Sequence, residues 1–311
     1  MRTPVAGRFV WSAADLAADR SWEHTFTAGE RDALIGLAHG ATDVAGALQP
    51  LVSRLSTELA TGKGLVLLHG FPIEELDAND VEVAYAAFGA LFGDAVPQNA
   101  RGELLTHIRD ERLAVRPDHV RLYRTNERQD FHTDGADIIG LLCLHTAQSG
   151  GESKVVSSGA LYNHMLHTRP DLLDELYRPM SWHRQNEHRD GEQPWFDLPV
   201  LYDLHGAPRM FYLGWYIRDA QEFPEVPRLT EQQLDAMAML ETLANDPAFH
   251  VEMQFAPGDV QLLNNGRVLH AREAYTDHPH PDQRRHLLRL RLAARQCTSV
   301  ENSLRTGITT S

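Results

Sequence analysis

The sequence predicts a mainly β fold with helices, a β-barrel or two-sheet jelly roll wrapped by helical segments. Three observations predict it. Residues 28–60 carry apolar side chains at three- and four-residue spacing, the period of a buried helix face. From about residue 120 short β-like runs follow one another, broken by Gly and Pro turns. The C-terminal half also lacks the regular strand–helix alternation that a doubly wound parallel sheet requires.

AGERDALIGLAHGA and ATDVAGALQPLVSRLSTELATG supply the helical N-terminal section, and KGLVLLHGF at 63–71 switches to a strand ending in a Gly turn. Asp77 to Phe92 returns to helix. HVRLYR, IIGLLCLHT, SKVVSS, LPVLYD, RMFYLGWYI, VEMQF, DVQLLNN and HLLRLRLA are the expected strands. Gly150-Gly151, His205-Gly206 and Pro257-Gly258 are turn signals between them. Helical inserts are expected at about 159–177 and 230–245, the second opening on Thr230 with Gln233 three residues on, an N-cap signature. No repeat, low-complexity tract or linker divides the chain. One domain is therefore expected over 1–311, with a helical section at about 1–62, a β core at about 63–295 and a C-terminal tail at 296–311.

The 311 residues are ample for a buried core, and 42% hydrophobic with 23% charged residues is ordinary for a globular chain. A formal charge of −14 argues against binding the nucleic-acid backbone. The longest apolar runs, IIGLLCL and GLVLL, are too short to span a membrane. MRTPVAGRFVWSAAD lacks the apolar stretch of a secretory signal. Cys143 and Cys297 give no disulfide framework, which fits a reducing cytoplasm.

Within FHTDG, His132 and Asp134 lie at i and i+2, so on a strand they leave the same face roughly 7 Å apart. His270 follows a Pro-Gly turn and a strand that delivers Asn264 and Asn265. Two imidazoles and a carboxylate suit a non-haem Fe(II) that keeps positions open for a co-substrate and O2. They also suit zinc, but no catalytic Glu stands beside them as in HExxH. His145, His164, His183 and His286 have no carboxylate at ligand spacing and read as structural. In RRHLLRLRL, alternation puts Arg285, Leu287, Arg289 and Arg291 on one face and His286, Leu288, Leu290 and Leu292 on the other. Leu on both faces implies burial on both, and a buried arginine needs an anionic partner. Arg285 and Arg289 would stand about 13 Å apart. One can hold a co-substrate carboxylate, leaving the other for the substrate or a structural acid; structural ion pairs throughout are the alternative.

From roughly 50 to 295 the chain resembles the taurine dioxygenase/TfdA-like family of Fe(II)- and 2-oxoglutarate-dependent oxygenases. GKGLVLLHGFPIEEL, FHTDGADIIGLLCLHTAQSGGES, PGDVQLLNNGRVLHAREAY and RRHLLRLRL carry the resemblance, in that order. It implies a double-stranded β-helix with His132, Asp134 and His270 as the iron ligands. It matches Ser153, where several relatives have threonine, and Arg285 to the residues that hold the distal carboxylate of 2-oxoglutarate. Arg289 matches a position that faces the primary substrate in some relatives. Related iron halogenases have Gly or Ala at the carboxylate position, so Asp134 disfavours halogenation.

The resemblance implies a dioxygenase that uses Fe(II), 2-oxoglutarate and O2 and hydroxylates a C–H bond of a small molecule, releasing succinate and CO2. Desaturation at the same iron is an alternative outcome, and a non-catalytic jelly-roll binding protein is an alternative class. An arginine by the site favours a carboxylate or amino-acid-like substrate. Gln98 and Asn126 are candidate substrate contacts, with Tyr123, Arg209 and Trp215 as further residues within reach. The polar, irregular stretch Ser181–Pro194 is a candidate lid. Asn264 or Asn265 could orient His270, although asparagines here also suit turns. Homo-oligomerisation stays open.

Overall fold

Capping side chains set most of the helix starts. Thr27 accepts from the Glu30 amide while Glu30 accepts from the Thr27 amide, opening α1 (Ala28–Ala38). α2 (Ala45–Ala60) lacks a side-chain cap and is held by its buried stripe of Leu48, Leu51, Val52, Leu55 and Leu59. Asp77 caps α3 (Ala78–Ala90) and Ser157 caps α4 (Ser158–Thr168). The short α5 (Gly214–Asp219) is uncapped, and Thr230 with Gln233 opens α6 (Glu231–Ala244) as its sequence predicts. The computed structural model describes residues 2–41, 43–99, 101–112, 121–185, 188, 191–204 and 206–294.

Eleven strands build two facing sheets. In chain order they are β1 (Glu23–Thr25), β2 (Leu65–His69), β3 (Gly93–Ala95), β4 (Leu105–Ile108), β5 (Gln129–His132) and β6 (Ile138–His145), followed by β7 (Ser153–Ser157), β8 (His250–Met253), β9 (Val260–Asn264), β10 (Val268–Arg272) and β11 (His286–Ala294). The larger sheet runs β1-β2-β9-β6-β11-β3, with β4 also paired to β11; the smaller runs β8-β7-β10-β5. Only the β1–β2 pair among these is parallel. The two sheets form the jelly-roll core and do not close into a barrel.

Period-two alternation sorts the side chains into three cores. Val66, Leu68, Val260, Leu262, Leu288, Leu290 and Leu292 leave the outer face of the larger sheet and pack on α1, α2 and α3. Leu65, Leu67, Ile139, Leu263 and Leu287 point inward, where they meet Val155, Met253 and Val268 of the smaller sheet. Phe131, Val156, Leu269 and Ala271 leave the far face of the smaller sheet and pack on α4, α5 and α6. Arg285, Arg289 and Arg291 therefore sit on the inward side, in phase with Leu287, and all three are buried.

Three expected strands differ. Of HVRLYR, 119 and 120 lie outside the described residues with the rest of 113–120, and Leu122–Arg124 is one 3-10 turn, not a strand, closed by Thr125 on the Leu122 carbonyl. LPVLYD is split at Val200: Trp195–Pro199 pairs with Pro179–His183, and Leu201–Leu204 pairs with Ala207–Met210. RMFYLGWYI stays extended only to Met210, and its second half is α5. A continuous apolar run has no period to separate a buried strand from a buried helix, and Tyr216 and Ile217 are satisfied by helical burial. Within Ser181–Pro194, Ser181–His183 belong to a paired strand, while 186, 187, 189 and 190 lie outside the described residues. The expected tail 296–311 also lies outside them.

Candidate metal centre

Register brings the two imidazoles together. His132 ends β5 and stands directly opposite His270 of β10, with ring centroids 4.2 Å apart. Side chains opposed on neighbouring antiparallel strands have Cβ atoms about 5 Å apart, so no loop is needed to converge them. Asp134 is not on the strand, contrary to the i, i+2 expectation. β5 stops at His132 and the chain turns through Gly135 and Ala136, with the Ala136 amide donating to the Asp134 carbonyl. Two anchors fix the turn: Thr133 exchanges hydrogen bonds with the main chain of Tyr212, and Asn265 accepts from the Asp134 amide at 3.2 Å while donating to the Ala136 carbonyl. Asn265 thus positions Asp134 rather than His270, and Asn264 closes its own turn on the Gly266 amide.

One ligand atom from each of His132, Asp134 and His270 falls within 4.8 Å of the others, and all three residues are buried. Oδ2 of Asp134 is left free for a cation, whereas Nε2 of His132 is approached by a side-chain amide. The Asp134 Oδ1 is engaged by Arg291 and lies 3.5 Å from Arg289, while Oδ2 has no hydrogen-bond partner and lies 3.6 Å from His270 Nε2. His132 Nδ1 is 2.8 Å from the Asp130 carbonyl, so it carries the proton and Nε2 presents its lone pair. The Gln129 amide lies 3.0 Å from that Nε2.

Electrostatics agree with an ion-binding set. Burial pushes the Asp134 carboxyl up, but Arg291 and then Arg289 outweigh it and hold the group well below the usual carboxylate range. Burial lowers His132, and burial with the neighbouring His132 ring pulls His270 down to about 3. Both imidazoles are thus neutral near pH 7, the form that binds a metal. A buried carboxylate oxygen without a partner, two neutral imidazoles and a dry setting fit a divalent cation, and the two-nitrogen, one-oxygen donor set suits Fe(II).

A narrow cavity of about 40 Å³ leads from His132 and His270 to Ser153, Arg272, Arg285 and Arg289. Arg285 is 5% exposed, its guanidinium stands over the Tyr275 ring, and its Nη1 has no hydrogen-bond partner. Gly151 adjoins it at φ +78°, and an added Cβ there would lie 3.0 Å from Arg285 Nε, so both conformation and space demand glycine. Ser153, buried on β7, has only a long 3.4 Å contact with Gln261. Arg289 stacks its guanidinium 4.8 Å from the Tyr123 ring centroid.

The other expected contacts fall in different places. Gln98 is buried beneath Arg289: its Oε1 accepts from Arg289 Nε at 2.8 Å and its amide donates to the Arg289 carbonyl at 2.8 Å. It therefore sets Arg289 rather than facing the cavity. Asn126 clamps the Tyr275 main chain through its side-chain amide and its carbonyl. Arg209 lies against Gly266, away from the cavity. Trp215 meets His132 edge-on at 5.2 Å. Three residues missing from the sequence-derived site matter here: Arg291 on Asp134, Gln129 at His132, and Arg272 in the cavity wall. Arg291 and Arg272 were visible as inward-phase arginines on β11 and β10; Gln129 carried no such signal.

Comparison with known proteins agrees with this geometry. The family profile "Taurine catabolism dioxygenase TauD, TfdA family" matches residues 38–291. FR-33289 synthase of Streptomyces rubellomurinus (strain ATCC 31215) is 32% identical, over 93% of this chain and 90% of that protein. Glutarate 2-hydroxylase of Klebsiella pneumoniae (strain 342) is 26% identical, over 78% of this chain and 72% of its own length. Among solved structures, asparagine oxygenase in complex with Fe(II), 2S,3S-3-hydroxyasparagine and succinate superposes with a TM-score of 0.66 at 15% identity, covering 88% of this chain and 93% of that one. The extent of the profile match and the level of identity to FR-33289 synthase establish the lineage, and the chain belongs to the TauD/TfdA dioxygenase family.

Proposed function

We propose that this enzyme, an Fe(II)- and 2-oxoglutarate-dependent dioxygenase, hydroxylates a C–H bond of a small molecule that carries an anionic group such as a carboxylate. The observation that carries the reading is a cavity lined by His132 and His270, whose ligand atoms converge with an unpartnered Asp134 oxygen, and by buried arginines with unpartnered N–H groups. When bound, Fe(II) together with 2-oxoglutarate would supply O2 activation and C–H cleavage, with release of succinate and CO2.

His132, Asp134 and His270 would hold the ion. Arg291 occupies Oδ1 of Asp134 and leaves Oδ2 facing inward. The Asp130 carbonyl keeps the His132 proton on Nδ1, away from the ion. Arg285 and Ser153 would take the distal carboxylate of 2-oxoglutarate, and Arg289, fixed by Gln98, would face the primary substrate. Burial of all these groups excludes water from the reacting atoms, which strengthens each charge interaction and protects the oxidant. Two similar proteins, glutarate 2-hydroxylase and asparagine oxygenase, are named for carboxylate-bearing compounds, in keeping with an anionic substrate here.

We further read the chain as one domain working in the cytoplasm, since Cys143 is an unpaired, buried thiol whose pKa burial pushes up to about 12. Among the described residues no helix is long and apolar enough to cross a membrane. The test is anaerobic difference spectroscopy with Fe(II) and 2-oxoglutarate, then succinate release against a panel of amino acids, other carboxylates and phosphate esters. The expected result is a weak visible charge-transfer band and substrate-stimulated succinate. Absence of the band overturns the reading.

A further inference from the structure

Arg272 stands two residues past His270 on β10, on the same inward face, directly opposite Ser153 of β7. It is buried and lines the same cavity as Arg285, Ser153 and His270. One of its Nη atoms donates to the carbonyls of Leu122 and Glu127, while Nε and the other Nη have no hydrogen-bond partner. Its guanidinium carbon and that of Arg285 stand 5.1 and 5.0 Å from the centroid of the same ring, Tyr275. Two buried guanidinium groups with free donors, side by side, are unfavourable unless an anion lies between them.

We propose that Arg272 is a second binding residue for the distal carboxylate of the co-substrate, forming a two-guanidinium pocket with Arg285 and Ser153. The proposal rests on the oxygenase reading above. A carboxylate has about four lone-pair sites, enough to accept from two forks and a hydroxyl at once. Ser153 and Arg272 are held on the paired strands β7 and β10, Arg285 directly precedes β11, and both guanidinium groups stand against the Tyr275 ring, so the pocket is rigid before the anion arrives. Such a pocket selects 2-oxo acids that end in a carboxylate and rejects those that end in a methyl.

The experiment titrates the Fe(II)-loaded protein anaerobically with 2-oxoglutarate and with 2-oxopentanoate, which has a methyl in place of the distal carboxylate. Wild type and Arg272→Gln are compared by visible absorption; glutamine keeps a donor for the Leu122 and Glu127 carbonyls. Loss of a charge-assisted pair predicts that Arg272→Gln binds 2-oxoglutarate about tenfold or more weakly. Its affinity for 2-oxopentanoate should not change, and Arg272→Lys should recover part of the loss. Equal weakening of both acids, or of neither, overturns the proposal, as does unchanged 2-oxoglutarate affinity with uncoupled turnover. Should Arg272→Gln melt at a lower temperature, Arg272→Lys carries the same comparison: a loss confined to the dicarboxylate supports the second guanidinium, and a loss shared by both acids refutes it. A wild type with no band sinks the oxygenase reading itself, whereas a wild-type band with wild-type affinity in Arg272→Gln sinks only this inference.

Discussion

Asp134 divides its two oxygens between tasks: Oδ1 faces Arg291 and Arg289, and Oδ2 faces the imidazoles. A carboxylate so oriented needs no rotation to bind an ion, and outer partners of metal ligands are typically worth ten- to a hundredfold in metal affinity. Arg291→Met should therefore weaken Fe(II) binding by about that factor, measured by anaerobic titration with the fold monitored by circular dichroism; unchanged affinity would mean that Arg291 is only a buried counter-charge. Arg285 and Arg289 separate in a different way. Arg285→Ala removes charge-assisted bonds worth about 2–3 kcal/mol, so the KM for 2-oxoglutarate should rise roughly 30- to 150-fold. Arg289→Ala, a residue set by Gln98 and stacked near Tyr123, should act mainly on the primary substrate. Equal effects on 2-oxoglutarate would reverse the assignment of the two. His132 and His270 were legible because few other residue types bind iron and both sit beside turn signals. Asp134 was legible as a ligand but not as a turn residue, since nothing in HTD says where β5 stops; tertiary anchors on Tyr212 and Asn265 decide that.

Strands and their connections set the next scale. The Gly150-Gly151 turn lets Tyr275 and Arg285 approach: Gly150 meets the Ala274 carbonyl and Gly151 meets Arg285, both at positive φ. Gly151→Ala should cost roughly 1–2 kcal/mol in urea unfolding from the left-handed backbone alone. It should also weaken 2-oxoglutarate binding by displacing Arg285; a variant with wild-type co-substrate affinity would mean that the side chain moves aside freely. At the entry to β11, His286 lies 2.8 Å from His107, and burial, then His107, pulls it down to about 4 from 6.5. The unfolded chain therefore takes up this proton first. The stabilising contribution is complete above about pH 6.5 and is lost as the pH falls toward about 4. His286→Gln should flatten the fall of the urea midpoint across that window, and parallel curves for variant and wild type would refute the assignment. Most strands of both sheets could be read as short β-like runs bounded by turn signals, and α6 from its capping box. The 3-10 turn at Leu122 and the helix α5 could not, because short apolar runs serve either conformation and neighbouring elements choose.

The whole molecule is two sheets with helices on both outer faces, and its chemistry lies between them. The fold class was legible because short β-like runs follow one another between Gly and Pro turns in the C-terminal half; the order of strands was not, because pairing such as β9 beside both β2 and β6 depends on contacts distant in sequence. The separation of the two ends of the cavity follows from one strand. Arg285 directly precedes β11, which carries Arg291, on Asp134, toward its far end and Arg289 between the two. A strand advances about 3.3 Å per residue and does not stretch, so β11 acts as a ruler between iron and the distal anion. The enzyme should accordingly measure the length of its oxo acid. Oxaloacetate is too short to reach both marks and 2-oxoadipate too long, and one methylene in a rigid pocket is worth about 10- to 200-fold. CO2 release from the three acids reads that gauge directly: comparable rates would mean the ruler bends.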